Sequence, residues 1–170
     1  MPDRYLHCTF CGARFGPGQP WPRRCAACGE TSYLNPTPVA VAVQPVGDGL
    51  LVVRRGIPPA RDRLALPGGY IDRDETWQEA VVRELAEETG LAADPAGVRL
   101  FDVLSAPDAT LLIFGLLPAV DAPPDFTPND ETAGLRVIDR PTPLGFDLHT
   151  RVADRYFADL AAGMHIFTPR

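Results

Sequence analysis

GYIDRDETWQEAVVRELAEETGL, residues Gly69 to Leu91, joins a glycine-led loop to a segment that crowds Glu84, Glu87 and Glu88 together. Thr76 followed by Glu79 three positions later is a capping box, so a helix is predicted to begin near Trp77. Gly90 is its expected C-terminal stop. Trp77, Val81 and Leu85 recur at four-residue intervals and predict a core-facing stripe. With about 100° of turn per residue, the three glutamates fan over an arc of about 100°. Like charges at this spacing repel on a helix, so a cation is the expected compensation. Hard carboxylate oxygens grouped in this way suit Mg2+ or Mn2+. Arg83 lies one turn after Glu79, placed for an i,i+4 ion pair that orients the cluster. A plain solvated acidic face would account for the helix but not for the glycine loop before it.

Outward from this stretch, VAVAVQPV (39–46) and GLLVVRR (49–55) are β-rich runs separated by a GDG turn and read as a hairpin. Further strands are expected near 98–105, 110–117 and 135–139, with a terminal helix near 148–162, an α+β order. DAPPDFTPND (121–130) is a long surface loop, suited to a lid or a dimer element. Arg54 and Arg55 close the second run; they either reach phosphates or end a solvated strand. Tyr70 and Trp77 offer rings that can stack on a planar ligand, with loop anchor and core residue as the plainer alternatives.

The chain has 170 residues, 45% hydrophobic and 22% charged, which suits one domain plus a small appendage. The expected boundary separates residues 1–35 from 36–170. A net charge of -6 argues against a grip on duplex nucleic acid, which needs phosphate-neutralising cations. MPDRYLHC lacks the apolar core of a signal peptide, and TLLIFGLLPAV is too short to cross a bilayer, so a cytoplasmic protein is expected. In a reducing compartment, Cys8, Cys11, Cys25 and Cys28 are not expected to form disulfides. Two C-x2-C pairs, each followed by glycine and separated by thirteen residues, predict a structural Zn2+ ribbon with four thiolate ligands. Such a closed site has no open position for substrate. The ribbon either packs within its own protein or a second subunit, or contacts nucleic acid or a partner through Trp21, Arg23 and Arg24.

From Gly69 to Leu91 the chain reads G-x5-E-x7-R-E-L-x-E-E-x-G-L, and this resembles the complete Nudix box. The agreement falls on Gly69, Glu75, Arg83, Glu84, Leu85, Glu87, Glu88, Gly90 and Leu91. The resemblance continues through YLNPTPVAVAV, LALPGGYID and the tail YFADLAAGMHIF. It implies the Nudix fold, a mixed β-sheet between helices, behind an N-terminal zinc ribbon. It also implies hydrolysis of a nucleoside diphosphate linked to another moiety, assisted by Mg2+ or Mn2+. Carried over by position, Glu84, Glu87 and Glu88 ligate the metals, and the Gly69 carbonyl is a further ligand. Glu75 supports the loop and Arg83 orients the glutamates. For the general base the resemblance leaves Glu88 and Glu131 open, with Asp130 a weaker alternative. Relatives often carry a second Glu three residues after the position of Glu131; here that residue is Gly134.

A ribbon before such a domain resembles NADH pyrophosphatases, whose SQPWPFP-like signature after the box is missing from FDVLSAPDATLLIFG. GQPWPRR (18–24) is similar but lies inside the ribbon. The pattern is more similar to ribbon-bearing diphosphatases of ADP-ribose and FAD, which implies AMP and a second phosphorylated product. The alternatives are an NADH or NAD pyrophosphatase and a hydrolase of oxidised nucleoside triphosphates such as 8-oxo-dGTP. A non-enzymatic alternative is a ligand sensor whose ribbon binds nucleic acid or protein. Relatives are commonly homodimers, and the same is expected here.

Overall fold

The computed structural model describes residues 5–164; Met1–Arg4 of the leader reading and His165–Phe167 of the tail lie outside them. The chain divides into two compact units, Met1–Pro36 and Thr37–Arg170.

In the first unit, β1 (Arg23–Arg24) pairs antiparallel with β2 (Thr31–Ser32). The two cysteine knuckles follow one backbone rule. Gly12 N–H donates to the Cys8 carbonyl and Gly29 N–H to the Cys25 carbonyl, each at 2.9 Å. Both glycines have left-handed φ, 75° and 79°, which any Cβ would strain. The apolar centre consists of Cys8, Phe15 and Cys25, with Ala13 and Trp21 half-buried against it. Arg23 lies over the Trp21 ring, 4.5 Å from its centroid.

The second unit contains β3 (Thr37–Val43), β4 (Pro45–Val46), β5 (Gly49–Arg55), β6 (Leu64–Ala65), β7 (Gly68–Tyr70), α1 (Trp77–Thr89), β8 (Arg99–Ser105), β9 (Thr110–Leu116), β10 (Thr132–Ile138) and α2 (Asp147–Ala161). One sheet has the order β7-β3-β9-β8, mixed because β3 and β9 run parallel while the outer pairs are antiparallel. The other has the order β10-β5-β4, with β6 also on β5. Alternate residues of β3 and β5 explain the layers. Val41, Val43, Leu50 and Val52 pack with Val152, Ala153, Tyr156 and Phe157 of α2. Ala40, Ala42 and Leu51 pack with Ala80, Val81 and Leu85 of α1. Each fully buried Val or Leu contributes on the order of 1.5–3 kcal/mol. The strands are therefore covered by a helix on either side, as the resemblance implies.

The hairpin expectation needs correction. Only β4 turns back on β5, pairing Pro45 with Leu50 and Val46 with Gly49. β3 belongs to the other sheet. The run breaks at Gln44, whose side-chain amide nitrogen Nε2 donates to the carbonyls of Pro45 and Pro118 at 2.7 and 2.9 Å. Pro45 then lacks the N–H that would continue a ladder. The helix stripe is also redrawn: Ala80, Val81 and Leu85 are buried, whereas Trp77 packs half-buried at the margin. β10 begins at Thr132, earlier than expected, and carries a register shift between Thr132 and Gly134. Among the described residues, no helix is long and apolar enough to cross a membrane.

Candidate active site

α1 begins and ends as its sequence dictates. The Thr76 hydroxyl accepts from Glu79 N–H at 3.2 Å, and the Glu79 carboxylate accepts from Thr76 N–H at 2.6 Å. Gly90 closes the helix in the left-handed region with φ 76°. Between these limits the three glutamates separate by environment. Glu84 and Glu88 are 8% and 5% exposed, whereas the Glu87 side chain is open to solvent.

β7 and the loop after it cover the two buried carboxylates. Gly68 N–H donates to Glu88 Oε2 at 3.0 Å. Gly69 faces Glu84 so closely that a Cβ there would lie 2.6 Å from the carboxylate carbon, so only glycine leaves this oxygen edge clear. Burial pushes the Glu88 carboxyl up to about 7; the Gly68 amide and Arg55 oppose this, and Glu84 and Glu131 add to it. Burial likewise raises Glu84, partly offset by Arg83 and reinforced by Glu87 and Glu131. The edge therefore holds more negative charge than its own partners neutralise. Such a donor set fits a hard divalent cation.

Arg83 does not pair with Glu79, contrary to the helical spacing, because Thr76 already holds that carboxylate through its N–H and its hydroxyl. The guanidinium turns instead to Glu75, with Nε–Oε2 3.1 Å and Nη2–Oε1 2.7 Å. Its Nη1 reaches Glu84 at 2.7 Å and Glu87 at 3.2 Å, and Nη2 also donates to the Tyr70 carbonyl at 2.9 Å. Glu75 further accepts from Asp72 N–H at 2.6 Å. Arg83 first, and then that amide, hold the Glu75 carboxyl below its ordinary range despite its desolvation. Arg83 thus ties the glycine loop to the helix. Tyr70 contributes its backbone to this, and its side chain is exposed.

The loop before β10 approaches from the other side. A cleft of about 300 Å³ is lined by Glu87, Asn129, Asp130 and Glu131. Arg55 and Arg54 stand opposite Thr132 and Gly134 in the β5–β10 ladder. Arg54 Nη2 donates to the Ala133 carbonyl at 3.0 Å; Arg55 Nε donates to the Pro59 carbonyl at 2.8 Å. Glu84, Glu87, Glu88 and Glu131 are therefore brought to one region. Asn129 was not singled out by sequence reasoning, although an Asn two positions before Glu131 in a loop is a turn signal. His149 is another buried polar residue without a motif. Its Nδ1 accepts from Leu66 N–H at 3.2 Å, and burial, aided by Arg55, brings its pKa down to about 3.

In the first unit the four Sγ atoms lie within 4.8 Å of one another. Cys8–Cys28 is 3.7 Å and Cys11–Cys25 is 3.6 Å. These are far beyond a disulfide bond and close to the edge of a tetrahedron with metal–sulfur bonds of about 2.3 Å, roughly 3.8 Å. The amides of Cys28 and Ala27 lower the Cys25 thiol pKa against its burial, which favours the thiolate. One metal ion fits this cluster.

Residues 35–153 match the NUDIX domain, and the chain belongs to the Nudix family. It is 40% identical over 76 residues to an ADP-ribose pyrophosphatase of Methanocaldococcus jannaschii, covering 45% of this chain and 44% of that protein. It is 29% identical over 111 residues to an NAD-capped RNA hydrolase, NudC, of Deinococcus radiodurans, covering 63% of this chain and 40% of the relative. Less than half the length of either relative is matched. A Nudix hydrolase structure from Nitrosomonas europaea superposes with a TM-score of 0.75 over 95% of this chain and 96% of that one. At 23% identity, that likeness speaks for the fold alone.

Proposed function

We propose that this protein hydrolyses the diphosphate bond of an ADP-linked metabolite of the ADP-ribose or FAD type, releasing AMP and a second phosphorylated product. The observation that carries this is the α1 edge: two buried carboxylates and one exposed, kept clear by Gly69 and braced by Arg83. The name of the Methanocaldococcus relative and the missing NADH signature support the ADP-linked choice. Bound Mg2+ or Mn2+ would supply charge neutralisation at the diphosphate and polarisation of the attacked phosphorus. Glu84, Glu87 and Glu88 would hold the metals, with the Gly69 carbonyl beside them. Arg83 and Glu75 fix the orientation of that edge, and Arg54 and Arg55 offer charge to the phosphates from the end of β5. Glu131 or Glu88 takes the proton from the attacking water. Glu88 acts from the helix itself, and Glu131 from the loop that lines the cleft with Glu87. The four cysteines would hold one structural Zn2+, and the protein would act as a homodimer in the cytoplasm.

A substrate panel tests this reading: ADP-ribose, FAD, NADH, diadenosine polyphosphates and 8-oxo-dGTP, each with Mg2+ and with Mn2+. AMP from ADP-ribose or FAD is the expected result. Preferential cleavage of NADH would favour an NADH or NAD pyrophosphatase instead. Glu87→Gln is expected to abolish Mg2+-dependent turnover while the circular dichroism spectrum and unfolding temperature stay as in the wild type. Retained turnover in that variant would sink the assignment.

Gly69→Ala is expected to lower kcat by about 10²-fold, the scale of a misplacement near 1 Å. The added methyl must displace the Glu84 carboxylate. Unchanged kcat and unchanged Mn2+ affinity would remove Glu84 from the metal set.

A further inference from the structure

Asn129 lies at the junction between the helix that carries the glutamates and the loop that carries Glu131. Its side chain makes three hydrogen bonds. Nδ2 donates to the Glu87 carbonyl at 3.0 Å, while Oδ1 accepts from Glu131 N–H at 3.0 Å and Thr132 N–H at 2.7 Å. We propose that Asn129 is a positioning residue that locks the backbone of Glu131 to the end of α1 and so sets where its side chain enters the cleft. This rests on the hydrolase reading for its catalytic half, and on geometry alone for the lock itself.

The Glu87 carbonyl belongs to the last turn of α1, where carbonyls lack partners within the helix. The bond from Asn129 satisfies that carbonyl and ties the loop to the residue whose side chain opens on the cleft. Glu131 is gripped from the other side as well: its carbonyl accepts from Gly56 N–H at 2.6 Å. A Cβ at position 56 would stand 3.1 Å from the Asp130 carbonyl oxygen and 3.2 Å from Glu131, so the approach favours glycine. Both backbone polar groups of Glu131 are thereby fixed, and its side chain keeps its torsional freedom at the cleft. The asparagine amide is matched to the task, because one end must donate and the other must accept. Aspartate would keep the turn but lose the donor to the helix. Serine would be too short to serve both.

The test compares wild type, Asn129→Ala, Glu131→Gln and the double variant on ADP-ribose with Mg2+. Amide hydrogen exchange and a titration with Mn2+ alone accompany the kinetics. Asn129→Ala is expected to lower kcat about tenfold or more with little change in KM, in keeping with the worth of a placed proton acceptor. In the Glu131→Gln background the same change should cost less than about twofold, since residues acting as one unit are not additive. An equal loss in both backgrounds, or no loss, overturns the proposal. Mn2+ affinity should stay within about threefold; a tenfold drop would locate the effect in α1 and overturn it too. Exchange of the Glu131 and Thr132 amides should accelerate about tenfold or more in Asn129→Ala, and unchanged rates overturn the lock. A wild type inert on the whole panel would sink the hydrolase reading, while the exchange rates would still decide whether Asn129 holds the loop.

Discussion

Glu88→Gln is expected to lose about 10³-fold or more of turnover and yet to unfold at a higher temperature than the wild type at pH 8, when both are dialysed free of Mg2+ and Mn2+. On the proposed function, the loss would follow from removing one ligand charge from a metal site worth several kcal/mol of transition-state stabilisation, where each ~1.4 kcal/mol is tenfold. The gain follows from burial. The Glu88 carboxyl titrates at about 7 in the fold against 4.5 unperturbed, so the folded state binds its proton more tightly than the unfolded chain. Stability from this group is complete below pH 4.5 and is lost as pH rises through about 7. The ceiling on the effect is about 3 kcal/mol, or several degrees in a chain of this size. Glutamine keeps an oxygen for the Gly68 amide and has nothing to ionise. Differential scanning calorimetry at pH 5 and pH 8 checks both halves: the unfolding temperature of the variant should exceed that of the wild type by more at pH 8 than at pH 5, since Glu84 and His149 titrate alike in both. Parallel curves would mean that Glu88 ionises at no cost.

Cys25→Ser is expected to unfold the first unit and spare the second. The apolar centre of the first unit is only Cys8, Phe15 and Cys25 with two half-buried neighbours. Its stability would therefore rest on the proposed Zn2+, for which apparent binding energies of ~10–16 kcal/mol are typical. Metal analysis should find one Zn2+ per wild-type chain and none in the variant. Limited proteolysis should then cut the variant between residues 5 and 36 while the α1 and α2 helical signal and most turnover persist. A variant that keeps its ribbon resistant to protease, or a wild type purified without metal, would count against the zinc reading.

What the sequence made legible was local. Thr76, Glu79 and Gly90 sit within a few residues of what they control, so both helix ends could be read directly. The paired C-x2-C knuckles are equally local, and their four sulfur atoms converge as their spacing predicts. The readings that failed needed a distant partner. Gln44 looks like an interruption in an apolar run, and it ends β3 because Pro118 waits 74 residues away. Helical spacing pairs Arg83 with Glu79 because it counts only helical neighbours. The loop that folds back brings Glu75 within reach, while the capping box has already engaged Glu79. Asn129 was passed over for the same reason, since the carbonyl it serves lies 42 residues earlier.

The thirteen residues of α1 are held at one end by the capping box and at the other by Gly90. One residue inserted or deleted between Glu84 and Glu87 would rotate the later carboxylates about 100° away from the first. Neither pinned end can unwind to absorb that turn. The length of this helix is thus as much a part of the site as its glutamates.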